Sequence, residues 1–239
     1  MLKDYIVFDL EMTGLNPAKD TILEIGAVKV KNKKIESVFE RMISSDTKIP
    51  EAVTEITGIT TEMIRSGAAI DDTMREFLIY IEDLPLIGHN VIFDYSFLLQ
   101  WALNHKIKLS KEGVDTLKLA RTLRPELESK ALMALCREYG IVRDREHRAI
   151  DDAKATQTLF EILEGDFAAD NPKKFLPKQL QCSLKRQTPA TARQMVYLKK
   201  LLAFHGIARQ IDFDRLSRSE ASRLTDQIIL QYGKLIDKP

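Results

Sequence analysis

The run Tyr5-Ile6-Val7-Phe8 has the apolar character of a buried β-strand, yet it passes without a turn into Asp9-Leu10-Glu11. This strand end constrains the chain more than any other feature. Successive strand side chains alternate between faces, so Asp9 and Glu11 point the same way. Two carboxylates that close repel each other unless something positive sits between them.

Around that strand the pattern is mixed. Strands are expected over 4–10, 21–30 and 34–43, with turns near Asn16-Pro17 and Asn32. Residues 49–67 read as loop with short helical pieces, and 71–82 has helical spacing. Leu86-Ile87-Gly88 reads as a short buried parallel strand and 93–105 as a helix. A short strand over 113–116 and helices near 117–123, 130–139 and 148–164 complete the segment. Strands in succession followed by strand–helix alternation predict an α/β fold with a mixed sheet.

With 239 residues, 44% hydrophobic and 30% charged, the chain has room for one large domain, or an ordinary one plus a small one, and is too apolar for disorder. No apolar run approaches bilayer length. The N-terminus enters an acid-bearing strand at once, so no secretion leader is expected. Cys136 and Cys182 lie far apart without metal-ligand spacing, which argues against a disulfide framework and for a cytoplasmic location.

The net charge of +1 hides an asymmetry: residues 1–165 carry 22 basic and 28 acidic residues, and residues 166–239 carry 14 and 7. Such a split suggests two parts with different electrostatic roles. The expected organisation is a catalytic domain over 1–166, a basic linker over 167–187 and a two-helix module over 188–239. In the module, Thr188-Pro189 reads as an N-cap with proline at the first helical position, and Ser217-Arg218-Ser219-Glu220 as a capping box.

Two further acids stand where a fold would not choose them. Asp94 falls in the first turn of the helix after Leu86-Ile87-Gly88, at the carboxyl end of a strand, where open α/β sheets place their sites. On the helix from 148, position 152 lies about 60° from buried position 149, and position 151 about 160° away. Asp152 is therefore expected at the edge of the buried face and Asp151 in solvent, with His147 on the loop before the helix. Converging carboxylates need cations, and oxygen-only ligands suit Mg2+ or Mn2+ rather than zinc. Two such ions form a clamp for in-line displacement at phosphate, and one histidine beside them can take a proton from water.

The stretches DLEMTG, HNVIFD and HRAIDD, in this order and spacing, resemble the three motifs of the DEDD exonuclease superfamily in its histidine-containing (DEDDh) branch, over residues 3–164. IPEAVTEITGIT and LIGHNVIFD are most similar to the epsilon proofreading subunit and the PolC-type exonuclease domain of DNA polymerase III. The resemblance implies a ribonuclease H-like sheet flanked by helices. It implies 3′→5′ exonuclease activity with two Mg2+ or Mn2+ held by Asp9, Glu11, Asp94 and Asp152, and His147 as general base. It also implies substrate contacts from Met12, Thr13, Gly14, Leu15 and Phe93. Met12 departs from the pattern: replicative relatives carry Thr there, and DLEMTGL is the wording of oligoribonuclease.

DNA with a free 3′ end is the favoured substrate, with a polymerase or helicase as partner and no membrane. The alternatives are an exoribonuclease acting on short RNA and a non-catalytic tethering module. Lys173, Lys174, Lys178, Lys185 and Arg186 are candidates for contacting the phosphates of the strand. His89, His105, His205, Phe97, Trp101 and Cys136 are read as structural.

Overall fold

The computed structural model describes residues 2–45, 47, 49–143, 147–184, 188–208, 211, 213 and 216–235. Strands β1 (Tyr5–Met12), β2 (Ile22–Lys31) and β3 (Lys34–Met42) follow one another as antiparallel neighbours. The chain crosses through α1 (Glu51–Thr57), α2 (Thr61–Arg65) and α3 (Ile70–Ile81) to β4 (Leu86–Gly88), parallel to β1 on its other side. Helix α4 (Val91–Asn104) leads to β5 (Glu112–Asp115), parallel to β4. Helices α5 (Thr116–Leu123), α6 (Leu132–Tyr139) and α7 (Ala149–Phe167) precede β6 (Lys178–Gln179), antiparallel to β5. Among the described residues the sheet runs β3-β2-β1-β4-β5-β6, the mixed α/β arrangement expected from the order of elements.

The alternation of β1 sets the site. Tyr5 and Val7 share a core with Ala153 and Phe160 of α7, and the Tyr5 and Phe160 rings meet edge to face at 5.4 Å. Phe8, on the opposite face, meets Phe77 of α3 at 6.0 Å. Asp9 and Glu11 continue the parity of Tyr5 and Val7, so they turn toward α7. The first turn of α7 lies directly on β2 at Gly26, the register partner of Asp9. A Cβ at Gly26 would stand 2.1 Å from Ala149 C and Ile150 N. Gly26→Ala should therefore push α7 off the sheet and destabilise the protein by about 1–3 kcal/mol, read as a lowered denaturation midpoint; an unchanged midpoint would contradict this packing.

The chain divides into two compact units, residues 1–99 with 108–183, and residues 100–107 with 184–239. The expected linker is corrected by this division. Helix α7 runs to Phe167, Phe175 and Leu180 are buried, the Phe175 ring lies 6.3 Å from Phe160, and Lys178–Gln179 is an edge strand. Proline and lysine gave the segment a linker's composition, but two apolar side chains suffice to pin it.

In the second unit, α8 (Ala192–Phe204) and α9 (Arg218–Tyr232) pack through Leu198, Leu201, Ala221 and Leu224. Thr188-Pro189 does not start α8. Thr191 caps it, with Gln194 completing a capping box, and Pro189 bridges Ser217. Gln194 can reach back to the Thr191 amide, a role for which Thr188 has no partner three residues on. Ser217 and Glu220 form the box that caps α9. Among the described residues no helix is long and apolar enough to cross a membrane.

Candidate active site

Three elements bring the four acids together. Asp9 and Glu11 stand at the end of β1, Asp94 in the first turn of α4, and Asp152 in the first turn of α7. Asp94 Oδ1 accepts from the Leu10 amide at 3.1 Å, which ties α4 to β1 between the two strand carboxylates. Donor atoms of Glu11, His147 and Asp152 all lie within 4.8 Å of one another. His147 precedes α7 with φ +55°, a left-handed conformation sparsely populated by residues other than glycine.

Electrostatics make this cluster unfavourable as bare carboxylates. Burial, then the charges of Asp94, Glu11, Asp152 and Glu24, hold Asp9 well above the usual carboxylate range. Burial, then Asp152, Glu24 and Asp94, pushes Glu11 up to about 8. Burial raises Asp94 to about 7 despite the Leu10 amide, and raises Asp152 against the pull of Arg143. Oxygen donors held close at such cost fit a hard divalent cation, whose charge offsets both repulsion and desolvation.

Three residues not anticipated from sequence complete the surroundings. Glu24 of β2 is fully buried and is the register partner of Glu11. Like charges directly opposed destabilise a strand pair. Here Arg148 grips Glu24 with Nε at 3.1 Å and Nη2 at 2.5 Å, and the Ala149 amide donates to Glu24 Oε2 at 3.1 Å. Glu24 thereby anchors the backbone between His147 and Asp152. Its signal was legible, since it interrupts the apolar run Ile22-Leu23-Ile25 as Asp9 interrupts β1. The buried guanidinium of Arg143 donates to Asp152 Oδ1.

Asp151 departs from expectation, being 4% exposed rather than in solvent. It leads the stripe Asp151, Ala155, Leu159, and α7 is packed by α5 and α6 as well as by the sheet. Helical geometry orients a residue relative to one face without revealing what covers the other.

Of the residues expected to contact substrate, Thr13 is buried and clamps Thr21: its Oγ1 accepts from the Thr21 amide at 3.0 Å, and its amide donates to Thr21 O at 2.9 Å. The β1–β2 register shifts between Glu11 and Met12, and a Cβ at Gly14 would strike the Asp20 carboxylate. Leu15 is 81% exposed. Phe93 is half-buried, edge to face with Phe97 at 5.6 Å. Lys173, Lys174 and Lys178 are exposed; Lys185 and Arg186 lie outside the described residues.

His89 is held on both ring nitrogens, by Lys130 O at 2.8 Å and Thr116 Oγ1 at 2.9 Å, and burial pushes its pKa down. Phe97, Trp101 and Cys136 are buried. His105 Nδ1 lies 2.9 Å from Trp101 O, and His205 Nε2 lies 3.0 Å from Gly233 O.

The exonuclease family model matches residues 6–160. The PolC-type DNA polymerase III of Clostridium perfringens is 37% identical over 164 residues, covering 69% of this chain. That of Bacillus subtilis is 38% identical over 157 residues, covering 65%. In both cases the chain spans only 11% of the relative's length. Among solved structures, Exonuclease X in complex with 5′ overhanging duplex DNA is 25% identical with a TM-score of 0.57, covering 69% of this chain and 93% of that one. The nuclease domain of 3′hExo, a DEDDh family member bound to rAMP, is 15% identical with a TM-score of 0.60, over 75% and 98%; at that identity it shows the ribonuclease H-like fold alone. The family match, spanning the strand acids, α4 and most of α7, leads to one conclusion: the chain belongs to the exonuclease family.

Proposed function

We propose that this protein is a metal-dependent 3′→5′ exonuclease that trims DNA, at single strands or frayed 3′ ends, to nucleoside 5′-monophosphates. The reading rests on one observation, the meeting of Glu11, His147 and Asp152 beside Asp9 and Asp94. In it, Asp9, Glu11, Asp94 and Asp152 hold two Mg2+ or Mn2+. Bound there, the ions supply positive charge for the transferring phosphate and acidify water. His147 accepts the proton of the attacking water at its imidazole, and the loop ahead of α7 keeps that ring among the acids. The backbone at Thr13-Gly14, with Met12, Leu15 and Phe93, borders the terminal nucleotide. The half-buried Phe93 ring offers a stacking surface. A polymerase or helicase is the proposed partner.

Met12 supports a second reading, an exoribonuclease acting on short RNA, because the DLEMTGL wording is shared with that branch. The test is incubation with 5′-labelled single-stranded DNA and RNA, with Mn2+ and with chelator. Shortening of DNA from its 3′ end, abolished by chelator, is expected. Degradation of RNA alone would transfer the assignment to RNA. Intact strands of both kinds would leave the tethering alternative. His147→Gln should lower kcat about 100-fold or more with KM little changed; wild-type kcat would remove His147 as the base.

A further inference from the structure

A cleft of about 280 Å3 opens beside the first turn of α4. Val91 and Ile92, in the first turn of α4, form one wall, and Lys118, Lys174 and Lys178 stand on the others. The same helical turn thus serves both places: Ile92 lines the cleft while Asp94, two residues on, reaches the Leu10 amide. Both lie along the carboxyl ends of the parallel strands, where β4 and β5 finish as the pair Gly88 and Asp115.

The cleft is lined by aliphatic side chains, among them Ile92, Leu119 and Leu176, and carries three lysines. Its lysines come from three separate elements, α5, the short 3-10 turn Pro172–Lys174 and β6, and all three are exposed. Among the described lining residues Asp115 is the one acid. Its Oδ1 accepts from the amides of Asn90, Leu117 and Lys118 at 3.1, 3.0 and 3.3 Å, while Oδ2 makes no hydrogen bond and lies 3.8 Å from Lys118 Nζ. Two of the lysines sit on the segment expected from composition to be a basic linker. Burial of Phe175 and Leu180 and pairing of β6 with β5 fix the backbone of that segment to the sheet, so the two lysines are held at the cleft without the cost of ordering a loop.

We propose that this cleft binds the phosphodiester backbone of the substrate strand a few nucleotides before its 3′ end. The inference rests on the exonuclease reading and extends it to a second contact region. Ammonium groups on flexible stems suit a repeating phosphate chain, which needs charge at intervals rather than a fixed fork.

The test is a Lys118→Gln/Lys174→Gln/Lys178→Gln variant of the full chain. Binding of a fluorescent single-stranded 15-mer is measured by anisotropy in chelator across a salt series, and cleavage is measured on a dinucleotide and on the 15-mer. The expected result is a salt slope smaller by about 2, at about 0.7 per lost single-strand contact. KM for the 15-mer should rise about tenfold at low salt, with dinucleotide kinetics unchanged. Lys174→Gln and Lys178→Gln alone, at exposed positions, should each lower the slope by about 0.7, which guards against misfolding of the triple variant. A wild-type slope and KM in all variants would overturn the cleft while leaving the exonuclease reading intact. Weakened binding of inorganic phosphate or a mononucleotide, with strand binding unchanged, would overturn it as well. Failure of the wild type to cut either substrate would count against the exonuclease reading; the anisotropy slopes would still decide the cleft.

Discussion

Asp9→Asn should abolish trimming of a 3′ end, by about a thousandfold or more, the scale of removing one electrostatic group at a reacting centre. It should also make the metal-free protein more stable. Asp9 is half-buried and crowded by Asp94, Glu11, Asp152 and Glu24, so an uncharged amide of the same shape relieves desolvation and repulsion together. The pH dependence carries the same signature. Glu11 at about 8 and Asp94 at about 7 retain protons that the unfolded chain releases near pH 4. The folded state therefore binds more protons across that window, and stability of the metal-free protein falls as pH rises from about 4 to about 8. Saturating Mg2+ should remove most of the fall in the wild type and have less effect in Asp9→Asn. Thermal melts at pH 5 and pH 8, with Mg2+ and with chelator, check it. A variant that keeps wild-type turnover, or that melts lower than wild type in chelator at pH 8, would contradict the role assigned to Asp9.

Glu24→Ala carries the second large effect. It would leave the mostly buried Arg148 guanidinium only the partly exposed Glu40 at 3.8 Å and remove the acceptor of the Ala149 amide. Breaking a buried ion pair from one side costs about 3–5 kcal/mol. Glu24→Gln, which keeps an oxygen for Ala149, should cost less, and Glu24→Leu with Arg148→Met should recover much of the loss because no charge is left alone. Activity should fall in all three, since the backbone that carries His147 and Asp152 loses its anchor. Urea midpoints give the stability and the labelled-strand assay gives the activity. A Glu24→Ala unfolding free energy, from midpoint and slope, within about 1 kcal/mol of wild type would show that the pair contributes little.

The legible parts of the site are those governed by local geometry. Strand parity aligned Asp9 with Glu11, and the end of a short parallel strand marked Asp94. Helical angle placed Asp152 at the buried edge but misread Asp151, because the angle is blind to α5 and α6 packing on the other flank. The Glu24–Arg148 pair joins residues 124 positions apart, and no local rule reports a partner at that distance. The segment before residue 183 failed for the opposite reason. Its prolines and lysines outweighed Phe175 and Leu180 in composition, although those two side chains decide where it sits. Lys118 was unremarkable on α5 until β6 brought Lys178 to the same cleft.

The central claim is that four carboxylates and His147 form a divalent-cation site for hydrolysis at a 3′ end. Anomalous diffraction from crystals grown with Mn2+ and a nucleoside 5′-monophosphate tests it most directly. The account predicts two manganese peaks bounded by Asp9, Glu11, Asp94 and Asp152, with the phosphate against them and His147 facing it. Crystals with no peak among those carboxylates, or with manganese only elsewhere on the protein, would contradict it.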